Sequence, residues 1–182
     1  SPDALYFYRL VVLHEDMHHE AALYMAQSLG IAAADPRWAA PRLPAPPAAL
    51  PLTAGEQTLG AADLAQGFAF DNECGQQVVP VAAGEIDAQL LRWAEYLPFV
   101  EAGGYGDARW WRAEGWAWRQ QQGAAAPRDL RRQDGTWQIW RAGQWLALDP
   151  TEPACHLSQH EALAWCRWAG RRLPTEADWV HA

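Results

Sequence analysis

Cysteine is scarce in this 182-residue chain: there are three, Cys74, Cys155 and Cys166, and none lies at zinc-ribbon spacing. An odd, widely spaced set suits free thiols in a reducing compartment better than a disulfide framework, so a cytoplasmic location is expected. Basic residues are few, 14 against 22 acidic ones, and the formal net charge is -8. Nucleic acid and anionic membrane surfaces both need a basic face, so neither is expected as the main partner. No apolar run approaches the ~18 residues of a membrane span. The opening Ser1-Pro2-Asp3-Ala4 is polar and lacks the basic n-region of a signal peptide. There is no internal repeat, and no initiating methionine. The chain also stops just after a helical pattern, at Trp179-Val180-His181-Ala182, so a piece of a longer protein is expected.

What is present begins with a core: half the residues are hydrophobic, enough for one domain or a small domain plus part of another. Residues 1–29 read as one long helix, with Ser1 or Asp3 as cap, Pro2 in the first turn and Gly30 as the stop. Phe7, Val11, His14, His18, Ala21 and Met25 recur at helical spacing and form one stripe, expected to face inward in a bundle. Residues 35–55 carry Pro36, Pro41, Pro44, Pro46, Pro47 and Pro51 among alanines. Proline lacks a donor and restricts its predecessor, so this stretch is expected to be an extended linker and a domain boundary.

Residues 56–182 have a different texture. Gln76–Val81 and Thr136–Trp140 are strand-like, with Asp134-Gly135 as a hairpin turn. Helices are expected over 88–102, over 159–169 with a Ser158/Glu161 capping box, and from Thr175 with Asp178 completing the cap. Between them, long loops are expected to hold Trp110, Trp111, Trp116, Trp118, Trp137, Trp140 and Trp145, whose large rigid side chains bury area where regular structure is sparse. The fold class is therefore α+β: a helical segment at 1–34, a linker at 35–55 and a second domain at 56–182.

The chemistry concentrates in His14-Glu15-Asp16-Met17-His18-His19-Glu20. Histidines four apart on a helix lie one above the other, so His14 and His18 can bind one metal ion together. His19 lies about 100° round the helix and is not expected to join them. The segment also matches H-E-x-x-H, in which Glu15 would be the general base of a zinc peptidase. The glycine and third histidine of the metzincin continuation are missing after it.

The later segments resemble a known family. Arg171-Arg172-Leu173-Pro174-Thr175-Glu176-Ala177-Asp178-Trp179 closely resembles the R-L-P-T-E-A-E-W signature of the formylglycine-generating-enzyme-like (sulfatase-modifying factor) domain, which is related to the C-type lectin fold. Cys155-His156-Leu157-Ser158, Glu161-Ala162 and Cys166-Arg167-Trp168-Ala169-Gly170 are similar to the segment leading into it, and Phe68 to Glu73 to its opening. Behind a helix bearing His14 and His18, that domain looks like the second half of the two-domain sulfoxide synthases, in which a DinB-like helical bundle comes first. The resemblance implies a non-haem iron(II) enzyme of ergothioneine or ovothiol biosynthesis that uses dioxygen to join a thiol to the imidazole of a histidine derivative. His-Glu-Asp-Met-His looks most like the selenoneine synthase branch, which joins a selenosugar to hercynine. It further implies that His14 and His18 are two of three iron-ligating histidines and that Met17 lies near the substrate. The third ligand, the catalytic tyrosine and the thiol-binding residues are expected outside these 182 residues. A zinc peptidase and a non-catalytic binding module are the competing readings.

Overall fold

The computed structural model describes residues 5–32, 35, 39–62 and 68–182, and shows mixed α and β structure in two compact units. The first comprises Ser1–Ala33, Leu50–Ile86 and Pro174–Ala182; the second comprises Ala34–Ala49 and Asp87–Leu173. No helix among the described residues is long and apolar enough to cross a membrane.

In the first unit, helix α1 spans Tyr6–Leu29. The caps expected at Ser1 and Asp3 lie outside the described residues. The helix stops where Gly30 turns left-handed (φ 67°), a conformation glycine adopts without a Cβ penalty, and the Ile31 N–H closes on Ala26 O at 2.9 Å. Near its start Tyr6 packs on the Phe68 ring, with centroids 5.3 Å apart. The stripe expected to turn inward does not: no residue of α1 is buried, and Phe7, Val11 and Met25 face solvent. An apolar helix face is buried only by another element, and none among the described residues lies over this one. Of the expected bundle, the described residues show this single helix.

Strands β1 (Leu50–Leu52) and β4 (Gly84–Ile86) pair antiparallel, as do β2 (Gly55–Leu59) and β3 (Gln77–Val81). The stretch 35–55 thus ends in strand structure. Helix α5 (Glu176–His181) packs on β2 and β3. Its start is the expected capping box: Thr175 N–H donates to Asp178 Oδ2 at 2.8 Å, and Asp178 N–H donates to Thr175 Oγ1 at 3.1 Å.

The second unit is built on α2 (Trp93–Glu101), α3 (Ala113–Gln122), α4 (Gln159–Trp168) and the meander β5 (Leu130–Gln133), β6 (Thr136–Arg141), β7 (Gln144–Ala147). Trp93, Tyr96 and Phe99 lie three apart on α2 and point one way into the core, beside Tyr105, Trp111, Ile139 and Trp165. The helix begins five residues later than the pattern suggests. Leu91 O accepts from Ala154 N–H at 2.8 Å, and Arg92 bridges to Pro153 in an extended conformation, so pairing with the 149–154 loop holds residues 88–92 out of the helix.

The tryptophan-rich loops are largely regular. Trp116 and Trp118 ride on α3, and Trp137, Trp140 and Trp145 on the meander. Helix α3 has little sequence signal because its tryptophans are two apart and its N-cap, Arg112, offers no side-chain cap. The Asp134-Gly135 turn is as expected, with φ of 51° and 81° carrying the chain from β5 into β6. Arg171, from the family-like motif, pairs with Asp87 at 2.5 Å.

Three carboxylates of this unit lie below their usual range. Glu95 is held down by the Arg92 guanidinium, Asp107 by that of Arg109, and Asp149 by Thr151 Oγ1–H and N–H donors and then Arg42. A carboxylate whose folded-state value is depressed contributes stability that is complete above the unfolded value near pH 4 and disappears as pH falls through the folded value. Denaturant midpoints of the intact protein are therefore expected to be flat from pH 6 to about 4.5 and to fall below about pH 4. A midpoint that rises on acidification contradicts this.

Candidate metal centre

Helix geometry sets the site. His14 and His18 are one turn apart on α1, and their rings meet edge to face with centroids 4.5 Å apart and an interplanar angle of 83°. Their Nε2 atoms converge to 2.9 Å. That separation permits one ring N–H to donate to the other nitrogen, and it also permits one ion to take both nitrogens as ligands. At metal–nitrogen distances of about 2.0–2.1 Å, two nitrogens this close subtend about 90°, the angle between neighbouring octahedral positions; a tetrahedral site spreads its ligands to about 109°. The pair can therefore offer two nitrogen donors to one metal ion.

Both rings are exposed, as are Glu15, Asp16, Met17 and Glu20 around them. Met17 sits three residues after His14 on the same helix and is 56% exposed. Among the described residues no hydrogen bond joins Glu15, Asp16 or Glu20 to either ring, and no group of three or more histidine, cysteine, aspartate or glutamate side chains could hold a metal ion. The two imidazoles are thus the paired nitrogen donors on this helix. The other histidines have surroundings of their own. His160 packs on Trp118 and closely faces Gly115, and the His181 ring lies 3.3 Å from Gln57 Oε1.

The second unit contains a buried polar chain that the sequence reading did not single out. Glu161 is 4% exposed yet carries no cationic partner among the described contacts. Its Oε1 accepts from Tyr105 OH at 2.6 Å, its Oε2 from Ser158 N–H at 2.7 Å, and Tyr105 OH lies 3.0 Å from Tyr96 OH. Burial pushes both phenols well above their ordinary range, which keeps them protonated as donors. The sequence marks Glu161 as a capping residue and as part of a family-like segment; nothing in the spacing of Tyr96 and Tyr105 announces that they meet it. Cys155 and Cys166 are raised by burial too, so neither is an activated thiolate.

Comparison with known proteins adds to this geometry. The chain is 36% identical over 181 residues to a hercynine oxygenase of Mycolicibacterium thermoresistibile, covering 95% of this chain and 39% of that protein. It is 35% identical over 183 residues to a hercynine oxygenase of Mycobacterium tuberculosis, covering 97% of this chain and 42% of that protein. A formylglycine-generating enzyme of Bos taurus is 33% identical over 154 residues, 76% of this chain and 40% of that protein. The chain thus spans about two fifths of the length of these relatives. A match that leaves only 5% of this chain uncovered, about nine residues, takes in His14 and His18. Residues 38–182 match the sulfatase-modifying factor enzyme 1-like domain, and with most of its length inside that match the chain belongs to the sulfatase-modifying factor enzyme 1-like family.

Proposed function

We propose that the protein is an iron(II)- and dioxygen-dependent enzyme that couples a thiol or selenol to the imidazole ring of hercynine. The observation that carries the reading is the His14–His18 pair, converged to 2.9 Å on a helix that the similarity to hercynine oxygenases includes. The match to the formylglycine-generating enzyme of Bos taurus covers less of the chain, 76%.

In this reading His14 and His18 hold iron(II) through Nε2, with a third ligand from a DinB-like helical bundle beyond the described residues. Bound there, iron(II) supplies open positions for the imidazole substrate and for dioxygen. The thiol reaction balances as R–SH plus imidazole C–H plus O2 giving the imidazolyl sulfoxide and water: one new C–S bond, one oxygen atom on sulfur and one in water. Met17 stands beside the pair with a soft, polarizable thioether and no hydrogen-bond donor, which favours a selenium-bearing donor and the selenoneine branch. Glu15 supports the helix and is not a base in this scheme.

The test is the intact protein, loaded anaerobically with iron(II) and given hercynine, oxygen and, in turn, cysteine, gamma-glutamylcysteine and a selenosugar. Hercynine is expected to be consumed with one donor class, the selenosugar first. Tight stoichiometric zinc, together with peptide cleavage lost in Glu15→Gln, sinks the proposal in favour of a peptidase.

A further inference from the structure

The proline-rich stretch has the composition of a free spacer, but part of it is bonded to the second unit. Leu43 N–H donates to Thr151 O at 2.9 Å. Pro44 O accepts from Arg92 Nη1 at 2.8 Å and from Gln89 Nε2 at 3.3 Å. Arg42 Nε lies 2.8 Å from Asp149 Oδ2, and Asp149 is itself fixed by Thr151 Oγ1–H at 2.6 Å. Three consecutive residues thus engage the 149–151 loop and the entry to α2.

Arg92 is the centre of this arrangement. Its side chain is only 12% exposed, its Nε and Nη2 grip Glu95 at 3.1 and 2.5 Å, and the remaining nitrogen, Nη1, reaches Pro44. The fork geometry matters: a guanidinium can serve a carboxylate on one side and a carbonyl on another at once, whereas an ammonium is a single point of charge. The loop that receives the strap is itself tied down, since Trp93 N–H donates to Glu152 O at 3.0 Å and Ala94 N–H to Pro150 O at 2.8 Å.

We propose that residues 42–44 are a docked strap and that Arg92 is its latch, so that the proline-rich stretch is fixed to the second unit at these residues and is not a free spacer along its whole length. Proline suits this role: its fixed φ lowers the entropy lost on docking, and the positions without N–H groups need no partners. Arg92 is therefore a positioning residue for that stretch, whichever reaction the protein performs.

Amide hydrogen exchange on the intact protein tests it. After correction for intrinsic rates, Leu43 N–H is expected to exchange at least tenfold more slowly than Ala45 N–H, which has no partner among the described residues. In Arg92→Lys, which keeps the charge and loses the fork, Leu43 protection is expected to fall to that of Ala45 while the amides of α4 stay protected. Arg42→Ala, at a side chain 81% exposed that cannot unfold the core, is expected to lower Leu43 protection several-fold. Equal exchange of Leu43 and Ala45 in the unaltered protein overturns the proposal even if Arg92→Lys fails to fold. Unchanged protection in a folded Arg92→Lys removes Arg92 as the latch. None of these readouts depends on iron or on turnover, so the strap and the proposed reaction can fail separately.

Discussion

Replacing His14 or His18 with alanine in the intact protein is expected to abolish stoichiometric iron retention and to lower kcat/KM for hercynine on the order of 10³-fold, about 4 kcal/mol of transition-state stabilisation. The effect is expected to be large because, on the proposed reading, each ring is a ligand with no substitute nearby: among the described residues no group of three or more candidate ligands occurs. It is also expected to be specific. Both side chains are exposed on a helix with no buried residue, so removing either leaves no cavity and should leave the unfolding transition nearly unchanged. Glu15→Gln, next to His14, is expected to retain most of the activity. Iron content by elemental analysis, the unfolding midpoint and hercynine consumption, measured on one preparation, separate loss of metal from loss of fold.

The second large effect is on stability. Gly104 follows Gly103, whose φ is 78°, and both lie in the turn that carries the chain from α2 to Tyr105. Gly104 itself needs no unusual φ. It is required because a Cβ there would sit 2.0 Å from Cε2 of the Phe99 ring, which is fully buried. Gly104 O also accepts from Trp111 Nε1 at 2.9 Å, so the backbone cannot retreat without losing a buried hydrogen bond. Gly104→Ala is therefore expected to cost about 3 kcal/mol or more, at the upper end of overpacking effects. In a domain of this size that lowers the melting temperature by roughly 6–12 °C. Phe99→Leu, which removes the ring edge in the way, should be destabilising alone yet partly rescue Gly104→Ala, leaving the pair non-additive by about 1 kcal/mol. Strict additivity in calorimetry contradicts the close-approach account.

Local chemistry explains what was legible in the sequence. The Ser158/Glu161 and Thr175/Asp178 boxes, the Asp134-Gly135 turn and the Gly30 stop were readable because each is a short pattern whose partners are three or four residues apart. The histidine pair was readable for the same reason. What was not readable depends on long-range pairing. The entry to α2 is set by a loop some 60 residues later, through Leu91 with Ala154 and Arg92 with Pro153. The Tyr96–Tyr105–Glu161 chain joins three segments whose polar atoms say nothing about each other until the chain folds. The strap at 42–44 was hidden because its composition describes a spacer, and only the positions of Arg92, Asp149 and Thr151 make it a docked segment. The exposure of α1 was misjudged for another reason: periodicity shows that a face is apolar, not what covers it.

The central claim is that His14 and His18 are iron ligands of a hercynine-oxidising enzyme. Its most direct measurement is dioxygen uptake by the intact protein, reconstituted anaerobically with iron(II) and given hercynine and the preferred donor, with the zinc-loaded protein as control. One O2 consumed per hercynine, only in the iron form and lost in His14→Ala and His18→Ala, is the predicted result. Hercynine untouched with every donor in a fully iron-loaded protein, or equal activity in the histidine variants, contradicts it.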